Sequence, residues 1–141
     1  MILFFDTSVL IPAFLPPHVH HEASNLALAE VKNHSAACAA HSLAEFYSVT
    51  TRMPPPHRLE PEQALVCIEQ IAACCKVIAL DSGEYLGEVR RAAAVKTPGG
   101  QFYDALLLAC ARKANPDRII TWNTRHFSAL GPDLAERIVT P

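Results

Sequence analysis

Three acidic side chains sit where an apolar chain has little other use for them. Asp104 lies inside Phe102-Tyr103-Asp104-Ala105-Leu106-Leu107-Leu108-Ala109-Cys110, and no basic residue stands three or four positions away. At helical spacing it shares a face with Leu107, Leu108 and Ala111. A lone carboxylate there must lose its charge or find a cation, because burying an unpaired ion is costly. Asp6 closes the apolar run Ile2-Leu3-Phe4-Phe5, and Glu45 is the only acid of a short stretch with Phe46, Tyr47 and Val49. Brought within a few ångströms, three carboxylates repel, and at least one pKa rises. A divalent cation removes that penalty, and an all-oxygen donor set suits Mg²⁺ or Mn²⁺ rather than Zn²⁺. Such an ion lowers the pKa of a bound water, orients it and stabilises charge on a phosphodiester. Ser8 and Thr121 are candidates to orient waters around it.

Each acid also has a plainer reading. Asp6 or Thr7 can cap a helix over 9–14. Ser42-Leu43-Ala44-Glu45 has capping-box spacing, so Glu45 can simply reach back to the Ser42 amide. Asp104 can serve the dipole of its own helix. The acids lie roughly 40 and 60 residues apart, which is no local metal-ligand signature. His18, His20 and His21 follow Pro16-Pro17 and read as a solvated helix start rather than a metal cluster. Arg90, Arg91 and Lys96 read as the wet edge of a helix.

The elements that must position these groups alternate. Residues 2–5 suit a strand buried on both faces, with Asp6-Thr7-Ser8 at its C-terminal end, where open α/β sheets bind ligands. A helix is expected over 18–33, a weak small-residue strand over 36–40, and a helix over 42–52. Met53-Pro54-Pro55-Pro56 opens a loop, and Pro61 suits the first turn of a helix whose stripe includes Ala64, Ile68 and Ile71. Residues 77–80 read as a buried strand. Asp81-Ser82-Gly83-Glu84 caps the next helix, and Gly99-Gly100 breaks the chain before Asp104. Residues 118–123 form a further strand, 124–127 a turn, and 137–140 a last strand. Strands alternating with helices indicate a three-layer α/β/α sandwich with a mostly parallel sheet.

A chain of 141 residues, half of them hydrophobic and 18% charged, suits one globular domain over 1–141. A net charge of −2 supplies no general field for polyanions, so nucleic-acid chemistry here needs only a local rim. The five cysteines, with no C-x-x-C pair, read as reduced core residues of a cytosolic protein. The start Met1-Ile2-Leu3-Phe4-Phe5 lacks the basic region of a secretory signal, and no apolar run approaches the ~20 residues that span a bilayer.

Four motifs in order carry a resemblance across essentially the whole chain. They are Phe5-Asp6-Thr7-Ser8-Val9-Leu10, Ala44-Glu45-Phe46-Tyr47, Tyr103-Asp104-Ala105-Leu106-Leu107-Leu108-Ala109, and Ile120-Thr121-Trp122-Asn123-Thr124-Arg125-His126-Phe127. The chain resembles PIN-domain ribonucleases, and among them the VapC toxins of bacterial VapBC toxin–antitoxin pairs. The resemblance implies a PIN-like sandwich in which Asp6, Glu45 and Asp104 are the active-site acids and metal ligands. Where the family often has a fourth acid, this chain has Asn123 and His126. Asn123 can coordinate through its carbonyl or hold a metal-bound water, so one Mg²⁺ or Mn²⁺ is implied rather than two. The implied reaction is hydrolysis of RNA by an activated water, leaving a 5′-phosphate and a 3′-hydroxyl, in the cytoplasm. The implied partners are an antitoxin whose tail plugs the groove and a second copy of the chain. One alternative is a non-catalytic RNA- or protein-binding module with a degraded metal site. Another, a haloacid-dehalogenase-type phosphatase, needs a second Asp where Ser8 stands.

Overall fold

The computed structural model describes residues 1–33 and 35–141. Among them, five strands form one sheet in the order β3-β2-β1-β4-β5, with every neighbouring pair parallel. The strands are β1 (Ile2–Phe5), β2 (Ser35–Ala39), β3 (Cys75–Ile78), β4 (Arg118–Ile120) and β5 (Ile138–Val139). Seven α-helices connect and cover them: α1 (Thr7–Ala13), α2 (His21–Ala29), α3 (Ala40–Thr50), α4 (Pro61–Cys74), α5 (Ser82–Ala94), α6 (Gln101–Ala114) and α7 (Thr124–Leu130). The sandwich expected from the alternation of elements is the observed architecture.

The pleat of β1 divides the core. Successive side chains point to opposite faces, so Leu3 and Phe5 join Val9, Leu10, Phe46 and Ile71 beneath α1 to α4. Phe4 faces the other way and packs with Leu107, Leu108, Ile119 and Phe127 beneath α6 and α7. Burial on both faces is why β1 reads as a continuous apolar run. β2 reaches the same end with Ala and Cys, since small residues let helices approach the sheet closely. The five cysteines are free, as expected, but Cys74 is exposed rather than in the core.

Several boundaries move. β3 starts two residues earlier than the expected strand over 77–80, and β4 stops at Ile120, leaving Thr121 to Asn123 beyond the sheet. The long helix expected over 18–33 begins only at His21 and finishes as a 3₁₀ turn, Glu30–Asn33. Residues 124–127, expected as a turn, open α7, whose Phe127 is buried against α6. The capping box at Asp81 is present in both directions: Glu84 N donates to Asp81 Oδ1 at 2.8 Å and Asp81 N to Glu84 Oε1 at 3.0 Å.

Candidate active site

Chain order places the site. From β1 the chain steps to β2 and then β3 on one side, and returns to β4 and β5 on the other. The crevice at such a reversal, outside the C-terminal ends of the strands, is where open α/β sheets bind ligands. Asp6 is the first residue beyond β1 and sits at that crevice. Thr121 follows β4, and Glu45 lies on α3, which leaves β2 directly. Asp104 is in the first turn of α6, where the helix dipole favours a negative charge.

Each acid is held through one carboxyl oxygen, and none of the hydrogen bonds or ion pairs among the described residues falls on the other. Asp6 accepts from Thr121 Oγ1 at 2.8 Å and from the Ser8 amide at 3.3 Å, both on Oδ2. Glu45 Oε1 lies 3.2 Å from Thr7 Oγ1 and 3.7 Å from His41 Nε2. Asp104 Oδ2 lies 2.8 Å from His126 Nε2. Asp6 Oδ1, Glu45 Oε2 and Asp104 Oδ1 are thereby left available to a ligand.

Burial and like charge among the acids raise the pKa values of Asp6 and Glu45. The Asp6 side chain is 3% exposed, and burial pushes its carboxyl above the ordinary 3.8; hydrogen bonds from Ser8 and Thr121 oppose that rise, and the charge of Asp104 adds to it. Burial also raises Glu45 above 4.5, with His41 and Thr7 opposing and the charges of Asp6 and Asp104 adding. Removal from water penalises the ionised form, and neighbouring like charge penalises it again.

The plainer readings fare differently. Asp6 does cap α1, through Oδ2 alone, so capping leaves its second oxygen unused. Glu45 caps nothing: α3 starts at Ala40 with Ala39 as N-cap, and no side chain caps it. Ser42 is therefore inside the helix, where its Oγ meets Thr7 Oγ1 at 2.7 Å. Ser8 and Thr121 are joined at 3.2 Å between hydroxyls, which places both beside Asp6. Asn123 is exposed at the N-cap of α7, its amide donating to Thr121 Oγ1 at 3.0 Å. The histidines around the start of α2 are not simply solvated. His20 stacks on Trp122 with ring centroids 3.8 Å apart, and His21 Nδ1 lies 2.8 Å from the Pro12 carbonyl. Sequence reasoning missed the partner of Asp104, which arrives from α7 as His126. A histidine beside an apolar Phe127 was the available signal, but 22 residues separate it from the acid. It also missed Thr7 as the link to Glu45.

The donor set suits a hard divalent ion: three carboxylates with unbonded oxygens, two of them raised by burial and mutual charge. The gathering is loose, since among the described residues no group of three or more His, Cys, Asp or Glu stands at metal-holding separation. Mg²⁺ fits such a site because it keeps several waters and binds through one or two carboxylates rather than an all-protein cage.

Comparison with known proteins gives the family. Ribonuclease VapC40 of Mycobacterium tuberculosis is 38% identical over 109 residues, covering 77% of this chain and 78% of its own. Ribonuclease VapC27 of the same organism is 36% identical over 109 residues, covering 77% and 76%. Among solved structures, M. tuberculosis VapC20, described as a Sarcin-Ricin loop cleaving toxin, superposes with a TM-score of 0.72 at 16% identity, covering 90% of this chain and 94% of its own. Rickettsia felis VapBC2, bound to a DNA fragment from its promoter, gives 0.69 at 18% identity, covering 100% and 99%. At those identities the two structures speak for the fold. The family model described as PIN domain matches residues 3–131, a span that includes Asp6, Glu45 and Asp104, and on that match and the VapC kinship the chain belongs to the PIN-domain family.

Proposed function

We propose that the chain is a metal-dependent endoribonuclease that hydrolyses RNA phosphodiester bonds as the toxin of a type II toxin–antitoxin pair. One observation carries the reading. Three acids from three elements are each oriented through one oxygen and keep the other unbonded, at the sheet's ligand-binding crevice. The relatives named as ribonucleases support RNA as substrate, and the VapBC complexes among the structural neighbours support an antitoxin as partner.

Asp6, Glu45 and Asp104 would hold one Mg²⁺ or Mn²⁺, directly or through waters. The ion, when bound, lowers the pKa of a water and neutralises charge on the phosphodiester. Ser8 and Thr121 fix the Asp6 carboxylate, Thr7 and His41 fix Glu45, and His126 fixes Asp104. Such partners hold ligands in the orientation binding requires. Asn123 stands at the mouth of the crevice as a neutral group that positions water. A basic side chain on the antitoxin's tail neutralises the same acids and shuts the crevice. The enzyme acts in the cytoplasm, where its RNA is, as a homodimer.

The test is cleavage of total RNA by the purified protein with Mn²⁺, Mg²⁺ or EDTA, followed by sequencing of the new ends. Cleavage that needs the metal, leaves 5′-phosphates and disappears in Asp6→Asn and Asp104→Asn is the expected result. RNA binding without metal affinity, unaltered in Asp104→Asn, would instead identify a binding module.

A further inference from the structure

We infer that two aromatic stacks flanking the acids receive the bases on either side of the scissile phosphodiester, making them the base-binding subsites of the enzyme. The inference rests on the ribonuclease reading above and deepens it.

Sheet order puts one stack on each side. β2 borders β1 on one side and β4 on the other. Beyond β4, Trp122 stacks with His20 at a centroid separation of 3.8 Å and an interplanar angle of 13°. The indole is fixed from two directions: its Nε1 donates to buried Ser24 Oγ at 2.9 Å, and its amide donates to Ser8 Oγ at 3.0 Å. Beyond β2, His41 on α3 stacks with Tyr103 on α6 at 5.1 Å and 8°. Tyr103 immediately precedes Asp104 and is 52% exposed, while His41 reaches Glu45. Tyr103 thus adjoins Asp104 in sequence, His41 lies 3.7 Å from Glu45, and Trp122 follows the Thr121 that donates to Asp6.

Packing explains only part of these pairs: Trp122 also lies against the core, whereas Tyr103 is about half exposed. Buried aromatics serve packing, but Tyr103 and the outer face of His20 look outward, beside the groups that do the chemistry. The His20–Trp122 stack forms one wall of a cleft of about 380 Å³ that also touches Ser8, Pro12, His18 and Asn123, large enough for a nucleobase. A negative cluster in a chain of net charge −2 repels phosphates when no cation is bound. Flat apolar faces supply what charge does not, because every base has a π-face. Recognition of unpaired RNA works this way, with splayed bases laid on aromatic rings. A duplex keeps its bases stacked on each other, so the occupant is single-stranded RNA.

The test separates binding from cleavage by working in EDTA. A labelled single-stranded RNA octamer is titrated by anisotropy, and quenching of Trp122, the single tryptophan of the chain, is followed in parallel. Tyr103→Ala and the double variant His20→Ala/Trp122→Leu each weaken binding about five-fold or more, the usual cost of losing a base stack, while Tyr103→Phe binds as wild type. An octamer abasic at two adjacent positions shows the same loss with the unaltered protein, so the test stands even if the double variant fails to fold. Equal affinity for intact and abasic RNA, or an unaltered Tyr103→Ala, overturns the inference. Stack-dependent binding with no Mn²⁺-dependent cleavage upholds the subsites and removes the ribonuclease reading. Metal-dependent cleavage with the wild-type KM in both alanine-bearing variants does the reverse.

Discussion

Asp6→Asn makes a prediction whose sign runs against the usual fate of buried-site variants. The carboxyl is almost fully enclosed, and its pKa is raised chiefly by burial. An acid displaced upward in the folded state is penalised wherever it is ionised in the fold. Well above the folded value both states are ionised, and the fold bears the whole penalty. As pH falls through the folded value toward the ordinary 3.8, the folded chain takes up its proton first and the penalty is relieved. Asparagine removes the charge at every pH. Both hydrogen bonds that Asp6 accepts end on the same oxygen, so one amide carbonyl keeps them. Each unit of upward displacement is worth about 1.4 kcal/mol, and in a domain of this size 1 kcal/mol moves Tm by about 4 °C. In EDTA at pH 8, Asp6→Asn therefore melts above wild type, with an advantage that shrinks as the pH approaches 4. Divalent metal inverts the order. Saturation at a hundred times Kd adds about 2.7 kcal/mol to a protein that binds it, and the variant gains little. Differential scanning calorimetry over pH, with and without Mn²⁺, reads both effects. An Asp6→Asn protein that is less stable than wild type in EDTA at pH 8, or that gains as much from Mn²⁺, refutes the reasoning.

Three further outcomes follow from the contacts. Glu45→Gln loses cleavage by about a hundred-fold or more yet melts no lower than wild type in EDTA, because Glu45 caps no helix; a fall in Tm that parallels the loss of activity would restore the capping role. His126→Ala removes the only side chain that orients Asp104 among the described residues. It lowers metal affinity or activity by about ten- to a hundred-fold, measured by isothermal titration with Mn²⁺ alongside cleavage kinetics, and unchanged values in both would remove its positioning role. Asp81→Ala removes the side-chain acceptor of the Glu84 amide in the α5 capping box, costs about 1 kcal/mol in urea unfolding and leaves cleavage kinetics untouched; a change in kcat would connect α5 to the site.

What could be read from the sequence was what lies close along the chain. The apolar run ending at Asp6 is a buried strand followed by a polar crevice, and both halves of that statement are local. Ser42-Leu43-Ala44-Glu45 was ambiguous for an equally local reason: four residues fit a capping box whether or not a helix begins there. The tie is broken by β2, which hands the chain into α3 at Ala40, upstream of Ser42. Residues 124–127 read as a turn because four polar and aromatic residues show no period, whereas α7 is stabilised by Phe127 docking on a different helix. The partners that tune the acids were out of reach altogether. Thr121 meets Asp6 across 115 positions, and Trp122 meets Ser24 across 98. Such pairs are products of strand order, which no window of sequence contains.

The central place of the first strand has a consequence for how the protein is made. β1 emerges early from a ribosome, yet one of its two neighbours is β4, and Thr121 is the hydroxyl that steadies Asp6. A nascent chain interrupted before residue 118 exposes one flank of that strand and holds an unfinished catalytic crevice. Contacts of such long sequence separation form late, and the crevice stays incomplete until β4 has been made.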